Sequence, residues 1–138
     1  MTRLKYGIDT VAILRYLTGT LPSRVDTILS KAEDNKIDLV IPSIVVGELI
    51  YTIEKGKLVS GKQIHKDKLD LIITTLLSSH IFSIRDLTPS GWEIFINSNI
   101  PELHDRLIVA TCLQENVEAL ITSDQEILEG NEISVVWS

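Results

Sequence analysis

The chain has 138 residues, a single cysteine and a formal net charge of −6. That length suits one domain over residues 1–138, large enough to bury a core without disulfides or a structural metal. Cys112 alone rules out an internal disulfide, and the acidic balance argues against a general nucleic-acid binder with a basic footprint.

Apolar residues make up 44% of the sequence but aromatics only 5%, so the core must be built from Ile, Leu and Val. Such a composition favours a buried sheet of branched residues in an α/β domain. Leu4-Lys5-Tyr6-Gly7-Ile8 reads as a short strand ending at Asp9-Thr10, after which Val11, Ile13, Leu14 and Leu17 recur at helical spacing. Leu21-Pro22-Ser23 opens a second helix with Val25, Ile28 and Leu29 on its inner side. Asp38 to Ile41 forms the next strand, and Pro42-Ser43 starts a helix reaching about Lys55, where Gly56 stops it. From Gly61 to about His80, a stripe of Leu69, Ile72, Ile73, Leu76 and Leu77 predicts another helix. Ile81 to Ile84 reads as a strand, Pro89 begins a helix with Trp92, Phe95 and Ile96, and Pro101 breaks the chain. A helix from about Leu103 to Asn116 follows, and the strands Ala119 to Thr122 and Ile133 to Val136 close the pattern. Strands alternating with helices predict a parallel sheet with crossover helices.

No apolar run reaches the length of a membrane span, and Met1-Thr2-Arg3-Leu4-Lys5 lacks the apolar stretch of a signal peptide. With the lone cysteine, this leads us to expect a cytoplasmic protein with no membrane partner. Charge is unevenly spread. Lys55, Lys57, Lys62, Lys66 and Lys68 crowd one stretch around His65, while no Lys or Arg follows Arg106. The plain reading is a solvated helix face; the alternative is a basic surface for a phosphate backbone beside an acidic site.

Four acids carry the chemistry. Asp9 follows the first strand, Asp124 follows the strand ending at Thr122, Glu48 lies in the helix after the second strand, and Asp105 lies in the first turn of its helix. Strand ends and the starts of the following helices share one rim of a parallel sheet, where ligands bind. Singly, Asp9 and Asp124 could be capping or turn residues, Asp105 could serve a helix dipole, and Glu48 could be merely exposed. Independent capping does not predict four carboxylates on one rim. Like charges gathered there call for a cation, most simply a divalent metal. Zinc spacing of His and Cys is absent, as are a Ser-His-Asp arrangement and a glycine-rich phosphate loop.

Ile8-Asp9-Thr10, Pro42-Ser43-Ile44-Val45-Val46-Gly47-Glu48-Leu49, His104-Asp105-Arg106-Leu107-Ile108-Val109-Ala110-Thr111 and Leu120-Ile121-Thr122-Ser123-Asp124 together resemble the PIN-domain ribonuclease family. Within it the likeness is to the VapC-type toxins of toxin–antitoxin pairs, and it spans essentially the whole chain. The resemblance implies a three-layer α/β/α fold around a central parallel sheet of about five strands. It assigns metal-site and catalytic roles to Asp9, Glu48, Asp105 and Asp124, with Thr10 and Thr122 as supporting hydroxyls. It also implies Mg²⁺ or Mn²⁺ as cofactor, RNA as substrate, a cognate antitoxin as partner, and a homodimer. The lysine-rich stretch lies outside the family's motifs and takes no role from them.

On this reading Asp9, Asp105 and Asp124 hold the ion, and Glu48 serves a second ion or the attacking water. Water attack leaves a 5′-phosphate and a 3′-hydroxyl. A catalytically silent PIN-like scaffold for RNA or protein is the alternative, and the complete acid set argues against it. A phosphoacceptor signalling domain would need an acid pair after the first strand and a late lysine, and the sequence offers neither. Arg106 is expected in a surface salt bridge, Cys112 as a small buried side chain, and Trp92 and Phe95 as packing residues; Trp137 is left open.

Overall fold

The computed structural model describes residues 3–138. Met1 and Thr2, part of the opening read above as lacking a signal segment, lie outside that span. Strands β1 (Leu4–Ile8), β2 (Ile37–Pro42), β3 (Phe82–Arg85), β4 (Ala119–Ile121) and β5 (Val135–Val136) alternate with helices. These are α1 (Thr10–Leu17), α2 (Ser23–Glu33), α3 (Ser43–Glu54), α4 (Leu69–Ser78), α5 (Pro89–Asn97), α6 (Leu103–Gln114) and α7 (Gln125–Gly130). All strand pairs are parallel, in the order β3-β2-β1-β4-β5, which gives the expected three-layer α/β/α arrangement.

That order matters more than the strand count. Going from β1 to β2 to β3, the chain builds the sheet in one direction. It then returns to β1's other side with β4 and β5. At such a switch point the loops after neighbouring strands diverge and leave a crevice at the strands' carboxyl ends. β1 and β4 flank it, with Ile8 paired to Ile121, so Asp9 and the segment after Ile121 begin side by side.

The core beneath is aliphatic, as composition demands. Ile8, Leu39, Ile41, Leu120 and Ile121 from the sheet are fully buried against Ile13, Leu29, Leu49, Ile108 and Ile127 of the helices. Gly7 marks a close approach: a Cβ there would overlap the Cys112 sulfur of α6. Cys112 is fully buried as expected, and burial, before the charge of Asp9, raises its thiol pKa.

Two expectations need correction. The helix expected from Gly61 begins only at Leu69, after a single 3₁₀ turn at Lys66–Lys68. Ser60 and Gly61 take left-handed backbone angles (φ 49° and 76°), closing a tight turn in which Val59 and Lys62 pair. Helical geometry cannot run through two such residues. Among the described residues Arg106 forms no salt bridge; its Nε donates to the Ile100 carbonyl at 2.6 Å and its guanidinium lies 5.1 Å from the Phe95 ring centre. Trp92 and Phe95 pack as expected, although at the surface. The Trp92 ring lies edge-on to Phe95, 5.2 Å between ring centres, and remains half exposed. Trp137 lies under the Arg15 guanidinium at 5.0 Å.

Candidate metal centre

Asp9 is the N-cap of α1: its backbone is extended and Oδ1 accepts from the Ala12 amide at 3.0 Å. Its Oδ2 accepts from the Thr122 hydroxyl across the β1–β4 switch point. The same hydroxyl oxygen accepts from the Asp124 amide at 3.0 Å. Thr122 thereby ties the two strand ends together and aims one carboxylate. Asp124 caps α7, with Oδ1 accepting from the Ile127 amide at 3.0 Å, which leaves Oδ2 for another partner. Capping and site roles are thus combined in Asp9 and Asp124, because a carboxylate has more lone pairs than one cap uses.

Glu48 projects from α3 to meet α1 and α6. Thr10 Oγ1 donates to its Oε1 at 2.7 Å, and His104 Nδ1 lies 3.3 Å from its Oε2. Asp105 stands in the first turn of α6, but the cap is Glu102, whose Oε2 accepts from the Asp105 amide at 2.6 Å. Glu102 Oε1 is also 3.8 Å from His104 Nδ1.

Carboxylate oxygens of Asp105, Asp124 and Glu126 lie within 4.8 Å of one another. Glu126 is a member the sequence reading missed. It follows Asp124 by two residues in α7, a six-residue helix with too few apolar positions to show a period. The available signal was Ser123-Asp124-Gln125-Glu126 itself, a capping acid with a second acid in the first turn. Glu102 and His104 were missed as site neighbours as well.

Asp9 and Glu48 stand outside that tight trio, their oxygens held by protein donors, yet the rim acts as one electrostatic unit. Asp9 is buried, 7% exposed, and its pKa is pushed up to about 6. Burial is the main cause; the Thr122 and Ala12 hydrogen bonds pull it back, and the charges of Asp124 and Glu48 add to it. Asp105 is pushed up to about 7, first by burial and then by Asp124, Glu102, Glu126 and Glu48. Asp9 and Asp105 are thus both held toward their protonated forms, mainly by burial and then by the acids around them. The donor set fits a hard divalent cation such as Mg²⁺ or Mn²⁺: oxygen ligands only, several of them anionic, with a spread that one ion can bridge. A cation there would reverse the upward shifts.

Fold and rim define a parallel α/β domain with an acidic cluster at its topological switch point. The sequence model of the PIN domain matches residues 6–131, and the chain belongs to that family, whose members are in general nucleases. Solved structures share the fold. The crystal structure of VapBC2 from Rickettsia felis, bound to a DNA fragment from their promoter, contains a chain 19% identical. The match covers 98% of this chain and 100% of that one, with a TM-score of 0.73. PAE2754 from Pyrobaculum aerophilum is 14% identical over 96% of this chain and 83% of its own, with a TM-score of 0.62. No curated protein matches the chain in sequence.

Proposed function

We propose that the protein is a divalent-metal-dependent endoribonuclease and the toxin of a toxin–antitoxin pair, acting as a single domain over residues 1–138. The observation that carries this reading is the gathering of Asp9, Glu48, Asp105 and Asp124 on one rim of a PIN domain, where burial and then the charges of Asp124 and Glu48 push both Asp9 and Asp105 upward. Asp105 and Asp124, joined by Glu126, would hold Mg²⁺ or Mn²⁺ directly. Such an ion would supply a nucleophile at neutral pH and charge neutralisation for the phosphodiester. Asp9, oriented by Thr122 and the Ala12 amide, would complete the centre. Glu48, held between Thr10 and His104, would orient the attacking water and accept its proton.

Several features support the partners. VapBC2, which shares the fold, was crystallised on DNA from its promoter, which supports an antitoxin partner here. An apolar groove of about 300 Å³ between α1 and α4, lined by Ile13, Leu17, Leu71 and Leu76, offers an antitoxin segment a seat. Trp92 and Ile96, one helical turn apart and exposed on α5, supply an apolar face for a homodimer. No helix of the described residues is long and apolar enough to cross a membrane, which is compatible with a cytoplasmic setting.

Induced expression of wild type against Asp124→Asn, with RNA ends mapped, tests the reading. We expect growth arrest and new 5′-phosphate ends with wild type alone. Equal cleavage by both, or products carrying a 2′,3′-cyclic phosphate, would remove it.

A further inference from the structure

A second cavity opens beside Glu48, away from the Asp105–Asp124–Glu126 trio. It measures about 520 Å³ and is lined by Ile44, Gly47, Glu48, Tyr51, Lys57 and His104. Because Glu48 and His104 belong to both, it is continuous with the acidic rim.

Three features in and beside its wall need a reason. The first is Tyr51, whose ring is more than half exposed although it stands in the middle of the apolar stretch that packs α3. The second is charge. In a chain of net charge −6, Lys55 and Lys57 both place their ammonium groups over that ring, at 5.5 and 5.3 Å from its centre. This is a built arrangement. Gly56, at φ 65°, ends α3; its amide donates to Ile53 O and the Lys57 amide to Thr52 O, the paired bonds that turn a chain back at a helix end.

The third is Gly47. It lies inside α3 with no left-handed angle, and a Cβ added there meets nothing within 4 Å. Neither backbone nor packing within the chain requires glycine, which weakens a helix more than any residue but proline. What a side chain at this position would obstruct is the cavity.

We propose that this cavity is a nucleotide subsite, taking the base of a single-stranded RNA nucleotide beside the scissile phosphate. The base stacks on Tyr51 over the space left by Gly47, and Lys55 and Lys57 move from the ring to the neighbouring phosphate. The exchange is favourable, because stacking a base on an aromatic ring outweighs an exposed cation–π contact, and the ammonium groups gain an anion. The volume suits one nucleotide. Stacking is tolerant of base identity, so the subsite selects unpaired over duplex RNA rather than one sequence.

The inference rests on RNA being the substrate, and the test separates the two. Binding of a fluorescein-labelled single-stranded oligoribonucleotide pool to the full chain is followed by anisotropy in EDTA, and cleavage of the same pool is followed with Mg²⁺. Tyr51→Ala and Gly47→Leu should each weaken binding by about 5- to 150-fold. Tyr51→Phe, which keeps the ring, should lose less than Tyr51→Ala. Gly47→Leu gains helix propensity and Tyr51 is exposed, so circular dichroism melts should show both variants folded. Either variant binding as tightly as wild type overturns the proposal, and so does a wild type that binds no RNA. If binding is unchanged and sedimentation shifts, the pocket belongs to a second copy of the chain, which also overturns it. Tyr51-dependent binding by a protein that cuts nothing upholds the subsite and removes the nuclease reading. Cleavage by wild type and Tyr51→Ala with the same KM and the same cut sites does the reverse.

Discussion

Gly7 on β1 and Asp9 just past its end are two residues apart and show opposite uses of the same sheet. At Gly7, β1 is pressed so closely on α6 that the Cys112 sulfur occupies the space of a missing side chain. At Asp9 the strand ends under a carboxylate that burial and two neighbouring acids hold against its ionised form. The floor is arranged for stability and the rim against it. Strain of this kind at a rim marks a site that awaits a ligand of opposite charge.

The largest effect expected from breaking the rim is on activity. Asp124→Asn keeps the α7 cap, since the amide oxygen can still accept from the Ile127 amide, but removes an anionic donor from the trio. Cleavage should fall by about a hundred- to a thousandfold, by analogy with the loss of other transition-state charge stabilisers, with little change in the melting temperature. A variant that melts early and loses activity in proportion would place Asp124 in the fold and not in the chemistry.

Asp9→Asn should act in the other direction on stability. A carboxyl lifted from 3.8 to about 6 costs the ionised, metal-free fold about 3 kcal/mol. The sign follows from the direction of the shift. The folded state binds the proton more tightly than the unfolded chain, so the penalty is absent below about pH 4 and complete above about pH 6 to 7. Wild type in EDTA should lose stability across that window, and Asp9→Asn should not. Part of the gain goes to a mismatch, because the substituted amide has one acceptor oxygen for two donors, Ala12 and Thr122. A net stabilisation of about 1–3 kcal/mol at neutral pH remains, read from urea melts. Parallel pH profiles for the two proteins would contradict it.

On the floor, Gly7→Ala should destabilise by about 1–3 kcal/mol through overpacking against Cys112. Adding Cys112→Ala makes room, so the double variant should recover part of the loss. Strict additivity would mean that the two side chains do not share that space.

The same contrast explains how much was legible in the sequence. Asp9 and Asp124 could be read because each stands just past a short strand-like segment, Leu4–Ile8 and Ala119–Ile121, and parallel strands bring their ends together whatever their distance along the chain. Strand order was not legible, since nothing in Leu4–Ile8 or Ala119–Ile121 says which strands are neighbours, and it is the β1–β4 adjacency that joins these two acids through Thr122. The turn at Ser60 and Gly61 was hidden because lysines and an isolated glycine are equally at home in a helix and a turn. Arg106 was misread for a physical reason: the Glu102 carboxylate is spent capping α6 on the Asp105 amide, and the Arg106 guanidinium turns to a carbonyl and a ring instead.

Glu126 gives the smallest and sharpest test, because the sequence offered least reason to suspect it. It is exposed, at the edge of the trio, and its charge acts on Asp105. An edge ligand open to water can be replaced by water at modest cost. Glu126→Gln should therefore raise the Mg²⁺ concentration for half-maximal cleavage by about tenfold and leave the rate at saturating Mg²⁺ little changed. Asp124→Asn should not recover at any Mg²⁺ concentration. If Glu126→Gln titrates with Mg²⁺ as wild type does, Glu126 is a solvated acid beside the centre. The ion is then held from the β1–β4 side of the crevice, by Asp9, Asp105 and Asp124.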